Sequence, residues 1–149
     1  MSIKEELYNQ CQKFLDDRFQ TIQKTIAEIQ ESLATETKSS AGDKHETGRA
    51  MLQLEREKVG QQLAEIQKIS QLLSKIDISK SSESVSLGSI VLTTQFHYFI
   101  AISAGELKSK DQTFYAISAN TPIAKLLLGK TTGDRIQFRD QDFKILDLI

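Results

Sequence analysis

Two carboxylates three residues apart, Asp43 and Glu46, stand directly after Gly42 in this chain. At the start of a helix that spacing puts both side chains toward one side, where hard oxygens can face a single divalent cation. Such a pair can serve as hard oxygen ligands when other groups complete the cation's coordination. The same spacing is also a helix-capping box, with Asp in the position of Ser or Thr. A box of that kind contributes about 0.5–2 kcal/mol and requires no partner. The two roles are compatible, since a capping carboxylate keeps a free lone pair. His45, between them, can relay protons or be a solvated turn histidine. Lys38, Lys44 and Arg49 flank the pair and can meet phosphate groups or be ordinary solvated charges.

Other chemistry is scarce. No Ser/His/Asp arrangement, phosphate-cradling glycine loop or Cys/His metal cluster is legible, so intrinsic enzyme catalysis is not expected. The lone Cys11 has no partner for a disulfide within the chain. It falls among apolar positions and reads as a small buried hydrophobe. The formal net charge is −1, with residues 1–80 balancing to −1 and residues 81–149 to zero. Neither part has the positive excess of an autonomous duplex DNA binder, and none is expected. The first residues do not read as a signal peptide and no apolar run is long enough for a bilayer, so a cytoplasmic protein without membrane association is expected.

The elements that must position these residues follow from periodicity. The chain has 149 residues, 39% of them hydrophobic, no Trp and one Pro, which suits an elongated helical element plus a modest core. Leu15, Phe19, Ile22, Ile26, Ile29 and Leu33 recur at alternating spacings of four and three, the pattern of a coiled-coil seam. Lys38-Ser39-Ser40-Ala41-Gly42 breaks it. Val59, Leu63 and Ile66 resume it, Ile69, Leu72, Leu73 and Ile76 carry it on, and Leu52 lies one heptad before Val59. Met51 and Leu52 are both placed in the seam. Two narrow stripes separated by a short breaker bury each other by folding back antiparallel. Arms of ~30–35 residues then reach roughly 45–50 Å, with residues 42–46 at the far end.

Asp77 to Ser84 is a Ser/Lys-rich connector, after which the period changes. Ile90–Leu92, Phe96–Ile102 and Phe114–Ile117 are rich in β-branched and aromatic residues, as strands are, with packing as the default role for His97 and Tyr98. Thr121-Pro122 opens a short helix from Ile123 to Leu128 that Gly129 closes, in which Ile123, Leu126 and Leu127 read as core. Arg135–Phe138 and Phe143–Ile149 form a final hairpin across residues 139–142. The predicted fold is α+β: residues 1–78 an antiparallel coiled-coil hairpin with its tip near 39–47, residues 79–84 a linker, and residues 85–149 a small antiparallel β domain with one short helix.

Several stretches, in order, resemble the GreA/GreB family of transcription elongation factors. Val85-Ser86-Leu87-Gly88-Ser89-Ile90-Val91 resembles the family's opening strand. The stretch Ile117-Ser118-Ala119-Asn120-Thr121-Pro122-Ile123-Ala124-Lys125-Leu126-Leu127-Leu128-Gly129-Lys130 resembles its Ser/Thr-Pro, short apolar helix and Gly-Lys. Thr132-Gly133-Asp134-Arg135-Ile136 resembles its Gly-Asp before a strand, and Gly42-Asp43-Lys44-His45-Glu46 its Gly-Asp-x-x-Glu.

The resemblance implies an FKBP-like fold for residues 85–149 and bacterial RNA polymerase as partner. It implies that the tip enters the polymerase secondary channel, meeting the 3′ end of the transcript RNA. There Asp43 and Glu46 would help hold a catalytic magnesium shared with the polymerase, and the chain would stimulate the polymerase's own cleavage of backtracked transcripts. No cofactor is implied for the isolated chain. Lys38, Lys44, His45 and Arg49 are then candidate RNA or polymerase contacts, and Ser118, Asn120, Thr121, Pro122, Lys125 and Lys130 a candidate docking face. The alternatives are a channel regulator without cleavage and a coiled-coil scaffold for another protein.

Overall fold

Helix α1 spans Ile3–Lys38 and helix α2 spans Asp43–Ser74. Neither can bury an apolar stripe alone, and they pair as a helical hairpin. The computed structural model describes residues 2–38 and 43–149, and side chains within 2–35 and 47–149. By its contacts the chain divides into two compact units, Leu15–Ile69 and Met1–Phe14 with Ser70–Ile149.

The first of these units is hairpin alone. Leu15, Ile22 and Ile29 on α1 and Val59 and Ile66 on α2 are buried at steps of seven residues. Phe19, Ile26, Leu33, Leu52 and Leu63, in the alternate positions, are half-buried. One buried residue per heptad on each helix, flanked by half-buried ones, makes a narrow two-helix seam. Arg49 adds a polar tie, its Nη1 donating to the Leu33 carbonyl at 3.3 Å. Met51 was expected in the seam and is not: it is 65% exposed. Leu52, in heptad register with Val59, takes the inward position, and a neighbour in sequence points about 100° away around the helix.

The second unit holds a six-stranded sheet. Strands β1 (Ile90–Thr93), β2 (His97–Ala101), β3 (Gly105–Ser109), β4 (Gln112–Ser118), β5 (Arg135–Phe138) and β6 (Gln141–Leu148) lie in the order β3-β4-β2-β1-β6-β5. Helix α3, Pro122–Leu127, links β4 to β5. The α+β architecture is as predicted and the sheet is mostly antiparallel, with one parallel pair, β2 and β4, in the register Phe99↔Ala116. That pair arises because β3, which the sequence reading lacked, runs back from β2 and turns into β4, which inserts between them. The β3–β4 turn is Lys110-Asp111, both at positive φ (51° and 65°), the geometry of a two-residue type I′ hairpin.

Register assigns the two faces of the sheet. Val91, Ile100, Ile136, Phe143 and Ile145 share one face and form a buried cluster with Ala124 and Leu127 of α3. Ile90, Phe99, Leu107 and Phe114 share the other and are buried too. The base of the hairpin belongs to the same unit, and its Leu7, Cys11 and Leu73 are fully buried. Polar bonds fix this docking at the sheet's edge. Gln10 Nε2 donates to the Lys108 carbonyl at 2.7 Å while its Oε1 accepts from the Lys108 N–H at 3.2 Å. Ser109 Oγ donates to Glu6 Oε2.

Burial pushes the Cys11 thiol up to about 12, so almost none of it is thiolate at neutral or mildly alkaline pH. Iodoacetamide at pH 8 is therefore expected to alkylate Cys11 only at the rate at which the base unfolds, with protection lost in denaturant. Rapid alkylation of the native protein, followed by mass spectrometry, would contradict this packing.

Candidate functional site

The residues singled out in the sequence fall in two places, the start of α2 and the segment around α3. At the first, the backbone begins helix α2 at Asp43 and places Glu46 one turn on. Residues 39–42, within the expected tip, lie outside the described residues, as do the side chains of Lys38, Asp43, Lys44, His45 and Glu46. Arg49, one turn further on, is half-buried with its guanidinium directed to the α1 backbone. As a donor set, two carboxylates in one helical turn suit a hard cation such as magnesium. They supply too few ligands to satisfy its octahedral preference without others. Among the described residues, no group of three or more His, Cys, Asp or Glu is arranged to hold a metal.

Around α3 the geometry is complete. Thr121 is the N-cap: its Oγ1 accepts from the Ala124 N–H at 3.3 Å and donates to the Ser118 carbonyl at 2.9 Å, while its own N–H reaches that carbonyl at 3.2 Å. Pro122 follows at the first helical turn, where its missing N–H leaves nothing unsatisfied. Gly129, at φ 82°, closes the helix in the left-handed conformation that glycine adopts without strain. Its N–H donates to the Val85 carbonyl at 2.9 Å, and Val85 N–H donates to the Lys130 carbonyl at 2.8 Å. The helix end is thus tied to the segment before β1.

Asn120, Pro122, Lys125 and Lys130 are exposed and Ser118 and Thr121 half-buried, so the six residues of the candidate docking face lie in one segment around the helix. Leu127 is fully buried and Ile123 partly, as core residues should be. Leu126 was placed in the core and is 40% exposed. In a helix this short the fully inward positions are Ala124 and Leu127, three residues apart, with Ile123 beside them.

The sequence reading missed an aromatic surface on the α3 side of the sheet. Phe96, Tyr98, Tyr115 and Ile117 line a recess of about 300 Å³. The Phe96 and Tyr115 rings meet edge to face at 5.6 Å, and Tyr98 lies 6.5 Å from both Tyr115 and Phe143. Burial, and secondarily Tyr115, raises the Tyr98 phenol above its usual range. The signal was present: residues 96 and 98, and 115 and 117, alternate as one strand face does, but only the parallel register brings the two pairs together. His97 points to the opposite face. Its Nδ1 accepts from the Thr93 N–H at 3.3 Å, and burial lowers its pKa.

No described helix is long and apolar enough to cross a membrane. No protein-family model matches the chain, and no curated protein matches it. Among solved structures, one of the transcription factor Gfh1 matches at 20% identity over 90% of each chain, with a TM-score of 0.35. One of GreA factor homolog 1 (Gfh1) of Thermus thermophilus matches at 17% identity, also with a TM-score of 0.35, over 95% of this chain and 92% of that one.

Two outcomes follow from the local geometry. Thr121→Ala removes the cap of α3 and is expected to destabilise the protein by about 1 kcal/mol, with Thr121→Ser close to neutral; urea unfolding midpoints measure both. Folding lowers the His97 pKa, so the unfolded chain takes up the proton first as pH falls through about 6.5. Stability should then fall below that pH, and His97→Asn should flatten the decline in a pH series of melting temperatures.

Proposed function

We propose that this chain is an RNA polymerase-binding factor of the Gre type, which places the end of its hairpin in the secondary channel and promotes cleavage of backtracked transcripts. The observation that carries the reading is that a Gly-Asp-x-x-Glu stretch falls where one long helix gives way to another, with Asp43 as the first residue of α2 and Glu46 one turn later. The ordered sequence resemblance of residues 85–91, 117–130 and 132–136 to the same family supports it from the other unit.

Physical chemistry gives the shape a purpose. A polymerase active site is reached from the side by a pore, and two paired helices, each ~10–12 Å across, are about the thinnest stable object a chain can make. Within the hairpin unit, α1 continues from Leu15 for roughly 35 Å at 1.5 Å per residue. Asp43 and Glu46 would offer carboxylate oxygens to a magnesium whose other ligands come from the polymerase. When bound, such an ion activates water and stabilises charge on the phosphoryl oxygens. His45, between the two, would be placed to accept or return a proton, and Lys38 and Lys44 would be placed against transcript phosphates. Around α3, the exposed Asn120, Pro122, Lys125 and Lys130 would dock on the polymerase surface.

One observation favours a second reading, that of a channel occupant without cleavage. After Glu46 the chain runs Thr47-Gly48-Arg49-Ala50, where the family usually has Asn-Ala-Glu-Tyr, and Arg49 is turned onto the α1 backbone.

Stalled elongation complexes separate the readings. The wild-type chain should accelerate transcript cleavage, and Asp43→Ala/Glu46→Ala should lose on the order of 100-fold of that acceleration while still co-purifying with polymerase. Binding with equal cleavage by wild type and variant would remove the metal-assisting role. A failure of polymerase to co-purify would favour the scaffold instead.

A further inference from the structure

The end of α2, the connector and the turn before β1 enclose a cleft that no part of the transcriptional reading uses. It measures about 330 Å³ and is lined by Lys4, Lys75, Asp77, Lys80, Ser81, Ser82 and the Ser86–Ser89 turn. That turn is rigid. Ser89 N–H donates to the Ser86 carbonyl at 3.0 Å, Ser89 Oγ accepts from the Ser86 N–H at 3.0 Å, and Gly88 sits at φ 93°. A Cβ on Gly88 would come within 2.9 Å of Ile76 Cγ2, so both conformation and space demand glycine there.

The charges of the cleft do not balance. Three lysines and one aspartate line it, a formal net of +2. The Asp77 Oδ1 is already engaged, accepting from the Ser79 N–H at 3.0 Å and from its hydroxyl at 2.5 Å. Lys4 is the unusual member, since its side chain lies in a residue only 5% exposed. Burying an ammonium costs several kcal/mol unless it is well paired, and three N–H donors must find acceptors. One finds the Lys80 carbonyl at 2.7 Å. Burial lowers the Lys4 pKa and the charge of Asp77 only partly restores it. A structural clamp of helix to connector explains that one bond. It does not explain why Lys75 and Lys80, both exposed, add like charge beside it, nor why the wall is completed by hydroxyl groups.

We propose that this cleft is a binding site for the phosphate group of a small phosphorylated ligand. A tetrahedral dianion neutralises the +2 excess, accepts from Lys4, Lys75 and Lys80 as point charges, and takes further donors from the Ser81, Ser82 and Ser86 hydroxyls. A cavity of this size also leaves room for a small body attached to the phosphate. The site is independent of the hairpin tip, so it stands or falls separately from the transcriptional reading.

The probe is inorganic phosphate, titrated into the full chain at constant ionic strength and followed by amide chemical shifts, with chloride as the reference anion. Expected are saturable shifts confined to Lys4 and residues 75–89, and an affinity weakened roughly tenfold or more in Lys75→Ala/Lys80→Ala, whose spectrum otherwise remains that of the folded protein. Lys24→Ala/Lys58→Ala, on exposed helix positions, should bind as the wild type does. Non-saturating shifts, equal shifts with chloride, or unchanged affinity in Lys75→Ala/Lys80→Ala would each overturn the site and leave Lys4 as a clamp alone.

Discussion

A long helix with a single narrow apolar stripe is unstable by itself, because each residue of backbone order costs about 1–2 kcal/mol and one buried leucine per two turns does not offset it. Everything in the hairpin unit follows from that constraint. Leu15, Ile22 and Ile29 find Val59 and Ile66, and the flanking half-buried positions are enough to exclude water on either side. The pairing leaves most of each helix in solvent, so the outer faces are free to vary in charge without affecting the seam. An element of this kind can be thin and long at once, which a globular core of the same residue count cannot be.

At the base, the same two helices change partner. Leu7, Cys11 and Leu73 are buried in the unit that contains the sheet, opposite the face that α3 covers. One side of the sheet is covered by a six-residue helix fixed by its own caps and by the Val85 and Gly129 backbone. On the other side lies the hairpin base, with its buried Cys11, Leu7 and Leu73.

Much of this is legible in the sequence. The helices announced themselves through spacing, and α3 through Thr121, Pro122 and Gly129, each of which does locally what its chemistry suggests. The strand β3 was not legible because Gly105-Glu106-Leu107-Lys108-Ser109 offers only one large apolar residue and its turn, Lys110-Asp111, lacks the Asn or Gly that usually marks a type I′ hairpin. Without β3 the parallel partnership of β2 with β4 could not be foreseen, and with it went the aromatic recess of Phe96, Tyr98, Tyr115 and Ile117. Met51 and Leu126 misled for a simpler reason: hydrophobic type was visible, but a one-residue difference in helical phase decides which way it points. At the candidate site, the residue types at 43 and 46 and the helix start were readable, and the α3 segment was readable as a surface. The cleft around Lys4 was not, since it joins residues some seventy positions apart and only the folded connector brings them together.

Strand β3 forms one margin of the sheet, and such margins are where foreign strands add on. The carboxamide of Gln10 occupies the Lys108 amide pair from both sides, as the backbone of a neighbouring strand would. At this one residue a helix side chain takes the place of a strand neighbour. Loosening the first turns of α1 would therefore do more than expose Leu7 and Cys11: it would also uncover the Lys108 backbone for intermolecular β-pairing.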